Sequence, residues 1–160
     1  MPEIDERRAA IVARYAESKN RRDIDAALML CSDRMILHSA SLDMVSTFRG
    51  HKAIQAGMLR FYKLFSEYSG ETHTRWQAGI ALVSKGEVTL RVNPDLLADP
   101  STSISVVAPF LAVFEFDGDM IAGERYYPGF EYAGILKRLK PAVRMAIAAN
   151  RLTSGVFNRA

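Results

Sequence analysis

Residues 113–127 read VFEFDGDMIAGERYY, and this stretch carries the clearest local structural signal in the chain. Apolar and aromatic side chains dominate both sides of the central DGD, which is typical of two strands joined by a turn. Asp117-Gly118 supplies the positive backbone dihedral angles that a tight hairpin turn needs. We therefore predict that ISVVAPFLAVFEF, over 104–116, pairs with MIAGERYYPGFEY, over 120–132.

A second hairpin is predicted immediately upstream of the first. ETHTRWQAGIALV, over 71–83, is expected to meet EVTLRV, over 87–92, across the tripeptide SKG. The connection between the two hairpins, NPDLLADPSTS over 93–103, is long and contains two prolines. It is either a lid or a simple loop. The second half of the chain is thus predicted to be a mostly antiparallel sheet.

Helical patterns dominate the first half of the chain. Residues 3–20 form an amphipathic repeat with Ile4, Ile11 and Tyr15 on one stripe, and Lys19 off that stripe. Asp23 is a suitable N-cap for a second helix.

A strand, RMILHSAS over 34–41, is expected next, followed by a loop over 42–49. A third helix begins at Gly50 and is predicted to extend to Tyr68. Helices followed by a curved sheet indicate the α+β class, with the helices covering one face of the sheet.

Composition and charge narrow the class of protein. The chain has 160 residues, 49% of them apolar, which suits one compact domain. Cys31 has no partner for a disulfide bond, no signal-peptide pattern opens the sequence, and the longest apolar run, 106–114, is too short to span a bilayer. We therefore expect a cytoplasmic protein without a membrane partner.

The charge is unevenly distributed along the chain. Residues 136–160 hold six basic side chains and no acid, so of the net charge of +3 this tail carries +6 and residues 1–135 carry −3. An acidic main domain argues against nucleic acid as a partner. From Pro141 the tail is predicted to be helical, with Val143, Ile147 and Leu152 near one stripe that docks over the mouth of the domain or on a second copy.

Three segments together resemble the nuclear transport factor 2-like superfamily, which includes ketosteroid isomerase, limonene epoxide hydrolase and the SnoaL-type polyketide cyclases. They are RYAESKNRRDIDAALMLCSDRM (14–35), FRGHKAI (48–54) and the opening stretch 113–127. The resemblance implies a cone-shaped domain over 1–136, in which a bent sheet wraps around a long helix and leaves an apolar pocket. Residues 137–160 would then be a basic helical extension of that domain.

The resemblance also suggests functional positions. By analogy with ketosteroid isomerase, His38 lies at the position of the general base and Tyr15 at that of the oxyanion donor, while the second donor is replaced by Ala112. By analogy with limonene epoxide hydrolase, Arg91 matches the arginine, but the two acids are replaced by Asn93 and Tyr126. Epoxide hydrolysis is therefore disfavoured, because an amide orients a water but does not take its proton at neutral pH.

Strand alternation adds inward-facing polar candidates to this set, since residues two apart share a face. They are His73, Arg75 and Gln77 on one predicted strand, Thr89, Arg91 and Asn93 on the next, and Glu124 and Tyr126 on the last. The predicted catalytic residues are His38, Tyr15, Arg91 and Tyr126, and the predicted substrate-binding residues are His73, Asn93, Trp76, Phe110, Phe114 and Glu124. Each polar candidate also has a structural interpretation, since a buried histidine often only forms hydrogen bonds and Arg91 could pair with Glu124. No metal site is expected, because His38 and His73 lack a third ligand. No cofactor-binding motif is found.

Two functions are consistent with these residues. One is a cofactor-independent isomerase, dehydratase or cyclase that moves a proton on a small apolar metabolite. The other is a non-catalytic ligand-binding or dimerisation domain of the same fold. An open cavity that reaches His38 would favour the enzyme, whereas Phe110, Phe114 and Trp76 filling that space would favour the alternative. A homodimer is expected through the outer sheet face, where Leu111 and Val113 alternate.

Overall fold

A computed structural model describes residues 4–156, with side chains described as far as residue 150. In chain order the elements are helices α1 (Glu6–Asn20) and α2 (Ile24–Leu28), strands β1 (Cys31–Ala40) and β2 (Val45–Arg49), helix α3 (Gly50–Leu64), strands β3 (Phe65–Ala78) and β4 (Ala81–Val92), a 3₁₀ helix (Pro94–Leu96), strands β5 (Ser105–Asp117) and β6 (Met120–Pro128), and helices α4 (Tyr132–Leu136) and α5 (Pro141–Val156).

The six strands form one curved sheet in the order β2-β1-β6-β5-β4-β3. Every neighbouring pair is antiparallel except β1 and β6, which are parallel. This confirms the predicted α+β class and the predicted hairpin around Asp117-Gly118, where Gly118 has a φ of +58°. Irregular registers interrupt β3, β1 and the β5–β6 pair, and such bulges increase strand bending.

Helix α1 packs against one face of this sheet, which we call the inner face. Val12 and Tyr15 of α1 are buried against it, and Ile54 and Met58 of α3 are buried in the same core. Along β4 the even-numbered positions face inward, since Val88, Leu90 and Val92 are buried while Lys85, Glu87 and Thr89 are exposed. Burial of these side chains against the helices supplies most of the stabilising apolar contact.

The turn between β3 and β4 differs from the sequence prediction. Gly79 and Ile80 form it, and the tripeptide SKG lies inside β4. Gly86 is needed there for a close approach, because a Cβ atom at that position would lie 1.9 Å from the carbonyl oxygen of Glu71. The glycine therefore marks a close strand contact beside the bulge between Thr72 and Thr74 rather than a turn.

The other boundaries were predicted with mixed success. Helix α3 begins at Gly50 as predicted but ends at Leu64, and the expected loop over 42–49 contains β2. Helix α5 begins at Pro141 as predicted, and Val143 and Ile147 pack against the core. Leu152 and the side chains of Arg151 and Arg159 lie outside the described part. Within residues 4–156, no helix combines the length and apolarity that crossing a bilayer requires.

Candidate functional site

The inner face brings together polar side chains from α1 and β6. Tyr15 and Lys19 are four residues apart in α1, so they lie on the same side of the helix, one turn from each other. Glu124 and Tyr126 are two residues apart in β6 and therefore share the inner face. We call these four residues the Lys19–Glu124 cluster.

Hydrogen bonds hold the centre of this cluster together. The Tyr15 hydroxyl donates to Oε2 of Glu124 at 2.7 Å, and Nζ of Lys19 lies 3.0 and 3.3 Å from the two carboxylate oxygens. The Glu124 and Lys19 side chains are only 2% and 14% exposed. A buried ion pair of this kind depends on good geometry and on added hydrogen bonds, and Tyr15 provides one of them.

Burial determines the protonation states in the cluster. It raises the pKa of Tyr15 well above its ordinary value, and the charge of Glu124 raises this pKa further. Burial alone would lower the pKa of Lys19, but the attraction of Glu124 outweighs it and the pKa of Lys19 is raised. Burial also raises the pKa of Tyr126. At neutral pH the tyrosines are therefore neutral donors and Lys19 is a cation.

Tyr126 and Tyr68 provide hydroxyl groups with no hydrogen-bond partner among residues 4–150. The Lys19 ammonium lies 4.9 Å from the ring centre of Tyr15 and 5.4 Å from that of Tyr126, which are cation–π distances. Tyr126 also contacts Phe110, with ring centres 5.5 Å apart. By exposed surface of the whole residue, Tyr126 and Tyr68 are less completely buried than Tyr15.

The prediction that His38 faces inward is wrong. His38 is the register partner of Arg125 in β6 and of Thr47 in β2, and its ring contacts Tyr127 on the outer face. Its Nδ1 atom lies 2.9 Å from the Thr47 hydroxyl. Since Tyr126 follows Arg125 directly, His38 and Tyr126 lie on opposite faces of the sheet.

Arg91 and Asn93 also lie away from the cluster. Arg91 donates to Glu67 at 3.0 Å in an ion pair that is about half exposed, so both the predicted inward orientation and a pair with Glu124 are wrong. Asn93 caps the 3₁₀ helix by accepting a hydrogen bond from the amide of Asp95. These two residues have structural roles at the end of β4.

Two further predicted ligand-binding residues are displaced by the bulge in β3. His73 lies at the irregular register between Thr72 and Thr74, and its side chain is 53% exposed. Trp76 is the register partner of Val83, and the same row of cross-strand partners runs through Val113 and Arg125 to His38. Residues in one row share a face, so Trp76 lies on the outer face with His38. The prediction that either residue lines the inner face is therefore wrong.

Phe110 and Phe114 do face inward, with the predicted Tyr15, Tyr126 and Glu124. The Phe114 ring contacts Tyr15 edge to face at 6.1 Å between ring centres, and both phenylalanines are buried. They form part of the apolar wall around the cluster. The sequence analysis missed Lys19, although its position one helical turn after Tyr15 could have identified it.

Two surface depressions of about 420 and 450 Å³ lie elsewhere on the molecule. One is bounded by α2 and α3 and the other by β5 and α4; neither is lined by His38 or by the cluster. Among the described side chains, no three His, Cys, Asp or Glu residues converge as metal ligands. The cluster itself combines the Lys19 cation, the Tyr126 hydroxyl and a carboxylate that is held by Tyr15 and Lys19.

Comparison with known proteins gives one family and several solved structures. Residues 12–124 match the family model for the SnoaL-like domain. No curated protein matches the sequence.

The solved structures share the fold at low sequence identity. A proposed SnoaL-like polyketide cyclase from Shewanella denitrificans OS-217 is 14% identical, with a TM-score of 0.66 over 82% of this chain and 95% of that one. A hypothetical protein with a ketosteroid isomerase-like fold from Catenulispora acidiphila DSM 44928, in complex with trimethylamine, is 12% identical, with a TM-score of 0.63 over 75% and 85%. An LEH-like epoxide hydrolase of M. tuberculosis is 18% identical, with a TM-score of 0.60 over 77% and 83%.

Proposed function

The chain belongs to the SnoaL-like domain family, and from this premise we propose that it is a cofactor-independent enzyme that moves a proton on a small, mostly apolar carbonyl compound. The isomerase, dehydratase and cyclase reactions share this step. The observation that supports the proposal is the buried Lys19–Glu124 pair beside the free hydroxyl of Tyr126.

In this proposal the ligand carbonyl oxygen accepts hydrogen bonds from Lys19 and Tyr126. Lys19 has three N–H groups, so it can contact the ligand while it still contacts Glu124. Donors fixed in a water-poor site stabilise the negative charge that develops on the oxygen when a neighbouring C–H bond breaks. Tyr15 contacts Glu124 rather than the ligand, so its role is to position the carboxylate.

Glu124 is the proton acceptor. When the C–H proton moves to the carboxylate, the electron pair of that bond moves to the ligand oxygen and forms an enolate. Glu124 becomes neutral and the enolate becomes negative, so the site keeps one negative charge beside Lys19. No unpaired charge is created in the buried site at any stage, which keeps the electrostatic cost of the step low.

Proton exchange in deuterated water tests this proposal without knowledge of the natural substrate. Small apolar ketones are incubated with the protein, and the loss of their α-proton signals is followed by NMR. We expect the protein to accelerate exchange for at least one ketone and Glu124→Gln to abolish the acceleration. Glu67→Gln, which removes an exposed carboxylate, should retain it. No acceleration across the panel, or full activity in Glu124→Gln, would disprove the assignment.

A second function is favoured by one observation. The Glu124 carboxylate is almost inaccessible, and its oxygens already accept hydrogen bonds from Tyr15 and Lys19. A domain that only binds a carbonyl compound needs Lys19 and Tyr126 but not a free base. Native mass spectrometry of the purified protein distinguishes the two, because a retained ligand that shows no proton exchange on the protein indicates binding alone.

A further inference from the structure

A second polar group lies on the inner face, on strands β3 and β4. Three of its atoms are buried and have no hydrogen-bond partner among the described residues: Nε of Arg75, Oε1 of Gln77 and Oγ of Ser84. Ser84 is only 2% exposed. Native proteins satisfy nearly all buried polar atoms, so three unsatisfied ones in one place indicate a position built for a polar partner.

The strand register places these three side chains next to each other. Arg75 and Ser84 are direct partners across the β3–β4 pair, so their Cβ atoms lie about 5 Å apart. Gln77 follows Arg75 by two residues and therefore shares its face, about 7 Å further along the strand. The Arg75 guanidinium, the Gln77 amide oxygen and the Ser84 hydroxyl thus belong to neighbouring side chains on one face of the sheet.

Helix α1 is fastened to β3 on both sides of this group. Asn20 exchanges two hydrogen bonds with the backbone of Gly70, at 2.9 and 2.8 Å, and Arg8 reaches the carbonyl oxygen of Ile80 at 3.5 Å. Arg75 and Gln77 lie between these two contacts. The side chains of Arg75 and Gln77 are only partly buried, so a small molecule can contact them, while Ser84 lies beneath them.

The chemistry of the three side chains defines the ligand. Arg75 has no carboxylate within 4 Å among residues 4–150, and an unpaired guanidinium binds a carboxylate through two parallel hydrogen bonds. Gln77 donates from Nε2 to the carbonyl oxygen of Gly79 at 2.9 Å, which fixes the orientation of its amide. Oε1 of Gln77 then requires a donor, and a ligand hydroxyl supplies one.

We propose that Arg75, Gln77 and Ser84 form a binding site for a small carboxylic acid that carries a hydroxyl group on the carbon next to the carboxylate. Arg75 binds the carboxylate, Gln77 accepts the hydroxyl proton and Ser84 donates to a carboxylate oxygen at the bottom of the site. This site adjoins the Lys19–Glu124 cluster, because only Ala112 separates Ser84 from Tyr126 in one register row of the inner face. It does not rest on the function proposed above.

Calorimetric titration of the full chain with two probes tests this proposal. Mandelate has the carboxylate, the hydroxyl and an apolar ring, and phenylacetate differs from it only in lacking the hydroxyl. We expect saturable binding of mandelate, at least about 5-fold tighter than that of phenylacetate, because the latter leaves Oε1 of Gln77 unpaired. Equal affinities would overturn the assignment of a hydroxy acid.

Variants locate the binding site. Arg75→Met should weaken mandelate binding by at least about 10-fold. Arg21→Met, which removes an exposed arginine of α1, should bind mandelate as the unaltered protein does. If Arg75→Met does not fold, Arg75→Lys keeps the charge, loses the two-pronged geometry and should still weaken binding. An absence of saturable binding, or unchanged affinity in the folded Arg75 variant, would overturn the proposal.

Discussion

The Lys19–Glu124 pair is the residue-scale feature that most affects stability. Lys19→Met leaves the Glu124 carboxylate buried without its cation, and such a loss costs about 3–5 kcal/mol of unfolding free energy. The double variant Lys19→Met/Glu124→Leu removes both charges and should recover most of that loss. Urea denaturation measures both values. As a comparison, Glu67→Gln breaks an exposed pair with Arg91 and should cost at most about 1 kcal/mol. Equal losses in the single and double variants would contradict this expectation.

The buried tyrosines predict a loss of stability in alkali. Burial raises the pKa of Tyr62 to about 12, and the pKa values of Tyr15, Tyr68 and Tyr126 are raised as well. The unfolded chain releases these protons near pH 10, its ordinary tyrosine value, while the folded chain still holds them. The unfolded state then binds fewer protons, so the unfolding free energy falls as pH rises above about 10.

Urea denaturation on either side of about pH 10 measures this loss, and the tyrosinate absorbance of the folded protein follows the ionisation itself. The expected titration has a component above the ordinary tyrosine range that moves to lower pH on unfolding. Ionisation of every tyrosine near pH 10 in a protein that stays folded would contradict the burial of the cluster.

At the scale of elements, Gly86 determines how closely β3 and β4 pack. A Cβ atom at this position would lie 1.9 Å from a backbone oxygen of Glu71 and 2.8 Å from the Phe110 ring, and backbone cannot move as a flexible side chain does. Gly86→Ala should therefore cost about 2–3 kcal/mol, measured by thermal or urea unfolding. Gly134→Ala, in α4 with open space around it, should be neutral or stabilising by up to about 1 kcal/mol. A neutral Gly86→Ala would show that the strands separate easily.

The sequence predicts the helices and strands better than it predicts which side chains of each strand face inward. Helices α1, α3 and α5 and the β5–β6 hairpin follow from periodicity and turn residues, because those signals are local. The face of His38 could not be inferred, since Met35, Ile36 and Leu37 put apolar side chains on both sides of β1. The outward orientation of Arg91 could have been inferred, because the apolar residues Val88, Leu90 and Val92 occupy the opposite face of β4.

The residues of the candidate site were predicted in part for the same reason. The sequence identifies Tyr15, Glu124 and Tyr126, whereas Lys19 lies off the predicted apolar stripe and charged residues are mostly exposed. Its burial depends on Glu124, 105 residues away in sequence. A bulge such as that at Thr72 and Thr74 also changes a face without any local composition signal.

At the scale of the molecule, the outer sheet face carries exposed apolar side chains. Val107 and Tyr127 are 61% and 39% exposed on this face, which they share with the partly buried Leu111, the register partner of Tyr127, and Val113. We propose a homodimer through this surface, seen as a dimeric mass in sedimentation at micromolar concentration. Val107→Asp should shift the protein toward monomer. Ile80→Asp, an exposed position at the β3–β4 turn, should not. A monomeric profile of the unaltered protein would contradict the proposal.

The parallel pairing of β1 with β6 has a consequence for synthesis on the ribosome. The hydrogen bond between Tyr15 and Glu124 can form only after a further 109 residues have been synthesised. The hydrogen bond from the α4 amide of Tyr132 to Asp43 requires a further 89 residues. At a translation rate of about 5–20 residues per second, β1 therefore emerges roughly 5–20 s before its central partner. During that interval β1 has only the five-residue β2 to pair with. The nascent chain is exposed to aggregation and to chaperone binding until its last strand has been made.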